Sequence, residues 1–187
     1  MESRGSKTLG FGLGAYVGVL PNFGLKAASP RFEMNLELKV LRVIRLGALV
    51  GYFPASKAGV DETVDPKQVV TVRQADFSFN VIPLLFRAAY QQPVGPIDLY
   101  GGGMIGVAFV SGKAVAVQSR TEASIEETPL NAAVFLGTGL TLGPGQVVLE
   151  LRWSWLSLDY SDDVIDLSNE PGKLGGLSGA LGYKLEF

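Results

Sequence analysis

An all-β fold is what this sequence predicts: eight antiparallel strands, in up-and-down order, closed into a transmembrane β-barrel. Three observations carry the prediction. Apolar and polar residues alternate with period two along eight long segments. The polar member of the alternation is often glycine or a mid-strand charge, which suits a narrow barrel interior better than a wet sheet surface. The connections alternate between short and long, the asymmetry of barrels that cross a membrane.

The first segment runs from Thr8 to Val19. Leu9, Phe11, Leu13, Ala15, Val17 and Val19 alternate there with Thr8, Gly10, Gly12, Gly14, Tyr16 and Gly18. The second sets Phe32, Met34, Leu36, Leu38 and Val40 against Arg31, Glu33, Asn35, Glu37 and Lys39. The third sets Ile44, Leu46, Ala48, Val50 and Tyr52 against Arg45, Gly47, Leu49, Gly51 and Phe53. The fourth, about residues 75 to 90, places Phe77, Phe79 and Val81 on the apolar face against Asp76, Ser78 and Asn80. Pro83 interrupts it. A proline within a strand suggests a bulge or an unpaired position, and a bulge would carry Arg87 to the polar face.

The fifth, about residues 97 to 110, sets Ile97, Leu99, Ile105, Val107 and Phe109 against Asp98, Tyr100, Gly102, Gly106 and Ala108. The sixth, about residues 130 to 142, is rich in alanine and glycine, and its phase is the least defined. The seventh sets Val147, Leu149, Leu151, Trp153 and Trp155 against Val148, Glu150, Arg152 and Ser154. The eighth closes the chain with Leu177, Leu181, Tyr183, Leu185 and Phe187 against Ser178, Ala180, Gly182, Lys184 and Glu186.

Connections at about 40–43, 91–96 and 143–145 are tight; 21–30, 54–74, 111–128 and 161–173 are long and polar. The latter are expected to be loops, and the count puts both termini at the short-turn end. Tyr52, Phe53, Phe109, Trp153, Trp155, Tyr160, Tyr183 and Phe187 fall near strand ends, where interfacial aromatic girdles belong. A soluble barrel of lipocalin type is the alternative, with its apolar face inside.

Composition narrows the functions. The 187 residues fit one domain, with residues 1–7 a tail and 8–187 the barrel. Sixteen Lys+Arg against 18 Asp+Glu give no electrostatic reason to expect nucleic acid. With no cysteine there is no disulfide framework and no thiolate metal site. With no histidine, Ser-His-Asp and Cys-His catalysis and histidine-ligated zinc are excluded. The longest apolar stretches, Leu46–Phe53 and Met104–Val110, fall short of the roughly 18–20 residues of a spanning helix. Met1 to Lys7 is polar and carries no signal-peptide pattern. The start therefore suggests either a cytosolic chain or a mature form with an added initiator Met.

The candidate site is a lumen-facing polar network: Glu33, Glu37, Lys39, Arg45, Asp98, Glu150, Arg152, Lys184 and Glu186. These charges would pair across the barrel as a plug, because buried charge must be paired; a selective pathway is the other reading. Asp159, Asp162, Asp163, Asp166 and Glu170, with Lys173, read as a solvated acidic loop lacking the full calcium-loop spacing. Gly101-Gly102-Gly103 has no following Gly-Lys-Ser/Thr and reads as strand packing. No metal and no cofactor is expected.

The whole-chain pattern resembles the small bacterial outer-membrane barrels of the outer-membrane protein A, X and W type. Ile82-Pro83-Leu84-Leu85-Phe86-Arg87-Ala88-Ala89-Tyr90, a short turn and Leu99-Tyr100-Gly101-Gly102-Gly103-Met104-Ile105-Gly106 look like that family's proline-containing descending strand and Tyr-Gly-rich ascending strand. The terminal Leu181, Tyr183, Leu185 and Phe187 are similar to its assembly signal. The resemblance implies a Gram-negative outer membrane, contact with its lipid and its assembly machinery, long loops outside and both termini in the periplasm. Enzymes on related barrels (lipid A deacylases and palmitoyltransferases, phospholipases, omptin proteases) use a catalytic histidine that this chain lacks. The expected role is therefore non-enzymatic: structural, adhesive or accessory, with an extracellular partner met through the loops. A narrow conduit for small or apolar solutes and a soluble ligand-binding barrel are the alternatives.

Overall fold

In a strand, successive side chains point to opposite faces, so period-two sequence becomes a sheet with two different faces. The computed structural model describes residues 10–20, 29–41, 43–65, 68–116, 122–158, 172–173 and 175–187. They form β1 (Gly10–Leu20), β2 (Ser29–Lys39), β3 (Ile44–Asp65), β4 (Gln68–Val94), β5 (Ile97–Ala116), β6 (Glu122–Glu127), β7 (Leu130–Leu142), β8 (Gly145–Leu158), β9 (Gly172–Lys173) and β10 (Gly176–Glu186). Each pairs antiparallel with its neighbours, and β1 meets both β2 and β10, with Leu13 opposite Leu36 on one side and Leu185 on the other. The sheet therefore closes.

Ten runs make eight staves. β6 and β7 hold the same register against β5, Val110 facing Glu127 and Val107 facing Leu130. Between them Pro129 interrupts the ladder, yet its carbonyl still accepts from the Ala108 N–H at 3.0 Å. β9 and β10 likewise share one register against β8. The result is an eight-stranded antiparallel barrel.

Two short turns have the same chemistry. Val94 pairs Ile97 around Gly95-Pro96, and Leu142 pairs Gly145 around Gly143-Pro144. Gly95 and Gly143 have φ of 65° and 62°. Glycine takes the positive φ and proline fixes the negative one that follows, the combination of a type II′ hairpin turn.

The long connections differ from expectation. Much of 54–74 is strand: β3 continues to Asp65 and β4 begins at Gln68, with one register shift at Gly59/Val60. Much of 111–128 is strand too, where β5 pairs β6. The 22 and 27 residues of β3 and β4 far exceed the roughly 9–11 a tilted membrane strand needs. This four-stranded wall extends the barrel at the long-connection end. The tail at 1–7, Tyr160 and the acidic segment 159–170 lie outside the described residues.

The faces are inverted relative to a soluble barrel. Phe11, Met34, Leu36, Leu84, Phe86, Ile105, Leu136, Leu149 and Leu151 are exposed on the outside, whereas Glu33, Glu37, Arg87, Glu150 and Arg152 are buried inside. That arrangement contradicts the lipocalin-like alternative. On β4 the outward apolar run from Ile82 to Tyr90 is bounded by Asn80 and Gln92, which are exposed. Its nine residues match one tilted crossing of about 25 Å of hydrocarbon.

Two strand details correct the sequence reading. Phe77, Phe79 and Val81 point inward and are buried, as is Arg87, so β4 keeps one phase throughout. Of the two readings of Pro83 the unpaired position holds and the bulge does not: the register to β5 is unbroken from Ala75 to Val94, and the ladder toward β3 has a gap at Gly51 and Tyr52, opposite Pro83 and Ile82. The Pro83 ring packs over bare Gly51, where a Cβ would lie 3.2 Å from it. Phe53 also points inward and belongs to no girdle, whereas Tyr52, Phe109, Trp153, Trp155, Tyr183 and Phe187 face out. The indistinct sixth segment resolves cleanly, with Asn131, Ala133, Phe135 and Gly139 inward and Leu130, Val134, Leu136 and Leu140 outward.

Candidate functional site in the barrel interior

The lumen collects the inward residues of all eight staves. β2 contributes Lys39, Glu37, Asn35, Glu33 and Arg31; β8 contributes Glu150 and Arg152; β4 contributes Arg87; β3 contributes Arg45; β10 contributes Lys184 and Glu186. Even spacing along a strand keeps each set on one face, and closure of the sheet turns those faces toward one another.

The charges form one connected lattice. Arg31 pairs with Glu33, whose Oε1 also accepts from Arg152 Nη1 at 2.7 Å. Arg152 Nη2 donates to Glu150 Oε1 at 2.6 Å, and Arg87 Nη2 donates to Glu150 Oε2 at 2.7 Å. Arg87 Nε lies 3.2 Å from Glu37 Oε1. Glu37 Oε2 lies 3.5 Å from Lys184 Nζ and 3.8 Å from Arg45 Nη1, and Glu186 draws the same two cations at 3.4 and 2.7 Å. The links thus run Arg31, Glu33, Arg152, Glu150, Arg87, Glu37, then Arg45 and Lys184 to Glu186. Each carboxylate among Glu33, Glu37 and Glu150 touches at least two cations, which offsets the desolvation of a buried charge.

Aromatic rings fill the remaining space. Arg87 Cζ lies 3.7 Å from the Phe135 ring centroid and 5.7 Å from that of Tyr100. Tyr100 sits over Gly137, where a Cβ would fall 2.4 Å from its ring. The pocket between Tyr16, Glu37, Arg45, Arg87, Gln91, Tyr100 and Lys184 is too tight to admit a water molecule.

Of the nine sequence candidates, the structure links seven: Glu33, Glu37, Arg45, Glu150, Arg152, Lys184 and Glu186. Asp98 stands apart, accepting from Gln146 near the short-turn end. Lys39 pairs Arg45 in register at the same mouth and is half-buried. Arg31 and Arg87 are lattice members that the candidate set lacks. Arg31 was legible as the next alternate position before Glu33. Arg87 becomes legible once β4 is counted straight through Pro83: Val81, Pro83, Leu85, Arg87.

Among the described residues, no group of three or more aspartate or glutamate side chains is placed to hold a metal ion. No family model and no curated relative matches the chain. Solved structures do. Outer membrane protein OprG from Pseudomonas aeruginosa superposes with a TM-score of 0.59 at 12% identity, over 98% of each chain. The chain has the fold of the small outer-membrane β-barrels. Ail, the attachment invasion locus protein of Yersinia pestis, matches with a TM-score of 0.49 at 13% identity, over 96% of this chain and 97% of its own. The outer membrane protease OmpT from Escherichia coli matches with a TM-score of 0.47 at 12% identity, over 86% of this chain and 61% of its own. Activities differ among proteins of one fold, so function has to be argued from this chain's own residues.

Proposed function

We propose that this chain is an integral β-barrel of the bacterial outer membrane, non-enzymatic, with a lumen sealed by ion pairs and its working surface on the extended wall at the long-connection end. The observation that carries the reading is the inverted polarity. Leu136 and Leu36 are 68% and 57% exposed on the outside, whereas Glu150 and Arg152 are 1% and 3% exposed within. In water the exposed belt would be an aggregation surface; in lipid it is the favourable face, and barrel closure satisfies the backbone.

A structural, adhesive or accessory role follows from the sealed lattice and from the surface that the β3–β6 wall offers an extracellular partner. The tight lumen weighs against a solute conduit. The absence of histidine supports a non-catalytic reading. Gly10 and Phe187, the first and last described residues of the barrel, lie toward the short turns; by this reading that end faces the periplasm and the wall lies outside the cell.

Leu181, Tyr183, Leu185 and Phe187 would serve as the segment met by the assembly machinery. Leu181, Tyr183 and Phe187 are exposed on the outer face, and the Phe187 N–H donates to the Phe11 carbonyl at 2.9 Å where the barrel closes. The test is folding into detergent micelles or lipid vesicles. The folded chain should migrate differently on a gel before and after boiling. A chain that stays monodisperse in plain buffer contradicts the membrane reading.

A further inference from the structure

On three neighbouring staves, β3, β4 and β5, the lumen changes chemistry along its length, while other staves keep buried polar residues such as Ser29, Arg31, Asn131 and Ser154. On β4 the inward residues, read from the short-turn end, are Gln91, Ala89, Arg87, Leu85, Pro83, Val81, Phe79 and Phe77. On β3 they are Arg45, Gly47, Leu49, Gly51, Phe53 and Ala55; on β5 they are Asp98, Tyr100, Gly102, Met104, Gly106, Ala108 and Val110. On these three strands the polar groups lie toward the short-turn end and the apolar groups toward the wall.

The apolar set is packed. Phe53, Phe79, Val81, Ala108 and Val110 are all buried. Phe77 and Phe79 stack at 6.0 Å between centroids, and a Cβ on Gly112 would fall 2.6 Å from the Phe79 ring. Arg31 joins the two zones: it pairs with Glu33 in the lattice and lies 5.5 Å from the Phe53 ring centroid.

We infer that the barrel carries two seals in series, an ion-pair seal centred on Arg87 and Glu37 and a separate apolar seal built by Phe53, Phe79, Val81 and Val110. The two resist different things. Water and ions dissolve the first when a partner is removed, because unpaired buried charge recruits solvent. The second resists water because the side chains of Phe53, Phe79, Val81 and Val110 offer it no hydrogen-bonding group, and the charge beside them, Arg31, is already held by Glu33. Breaking either one therefore opens the lumen from one end only. This rests on the membrane reading above.

The chain has no cysteine, so a single introduced thiol reports access cleanly. Ala133→Cys is the probe: Ala133 is buried on the lumen face of β7, between Phe135 and Asn131. The protein is inserted in lipid vesicles, and a membrane-impermeant methanethiosulfonate reagent is supplied at one face at a time. In the otherwise unaltered chain, labelling from neither side is expected. Adding Arg87→Ala should give labelling from the short-turn side alone; adding Phe79→Ala should give labelling from the wall side alone. If Arg87→Ala fails to insert, Glu37→Gln loosens the same seal, since Glu37 faces Arg45, Arg87 and Lys184. Labelling from both sides after one substitution overturns the inference, because one seal then did all the work. Labelling from neither side after both substitutions also overturns it. A failure of the unaltered chain to insert in vesicles, shown by unchanged gel mobility on boiling, contradicts the membrane reading instead.

Discussion

The guanidinium carbon of Arg87 lies 3.7 Å from the centre of the Phe135 ring. The same guanidinium contacts Glu150 at 2.7 Å and Glu37 at 3.2 Å. One side chain on β4 thus ties β7, β8 and β2 across the lumen. Arginine suits the position because its planar group can stack and fork at once.

Removing Arg87 leaves two carboxylates with fewer partners in a closed space. Arg87→Ala is expected to destabilise the barrel by about 3–5 kcal/mol. Phe135→Leu keeps the ion pairs and loses only the stack, an effect of about 0.5–2 kcal/mol. Urea unfolding from lipid vesicles, followed by tryptophan emission, measures both. Equal losses for the two substitutions would mean that the ion pairs add nothing beyond packing.

The outer face is expected to reject charge. Leu36→Arg and Leu149→Arg sit in mid-strand on the exposed apolar belt and should impair insertion by about 2–4 kcal/mol. Gly12→Ser is the control on the inner face, where the nearest atoms to a new Cβ are 3.6 to 3.7 Å away. Folding yield into vesicles checks the pair, and comparable losses at Leu36 and Gly12 would contradict the assignment of faces.

The Gly101-Gly102-Gly103 run separates by position. A Cβ at Gly102 would lie 2.0 Å from the Ala88 carbonyl oxygen, whereas one at Gly103 would meet only the Ala133 carbonyl at 3.8 Å. Gly102→Ala is expected to lose about 1–3 kcal/mol or more, because a backbone atom cannot step aside. Gly103→Ala should be close to neutral. The same unfolding measurement decides it; equal tolerance would mean that β4 and β5 can part without loss.

The barrel and seven of its lattice charges were legible because β1, β2, β3, β8 and β10 largely obey one rule along the apolar belt: apolar outward, and inward chiefly glycine or a polar or charged residue, with Leu49 and Val148 as apolar exceptions. The rule reverses beyond the exposed apolar belt. By the membrane reading water wets the outside there, and Ser78 and Asn80 face out while Phe77, Phe79 and Val81 turn in. That reversal imitates a phase flip and makes Pro83 look like a bulge, although the backbone register never shifts there. The wall was hidden for a related reason. Val69-Val70-Thr71-Val72 carries strong strand propensity but no apolar-polar alternation, so polarity suggested a loop. The cross-lumen pairs, such as Arg152 with Glu33, depend on closure and stagger, which no single strand encodes.

Whether this barrel wears its apolar face outward against lipid can be read from the chain's two tryptophans. Trp153 and Trp155 both point outward from β8 and are exposed. In vesicles whose acyl chains are brominated near the head group, their emission should be strongly quenched relative to ordinary lipid. Emission that is the same in both lipids would place those tryptophans away from the bilayer and contradict the account.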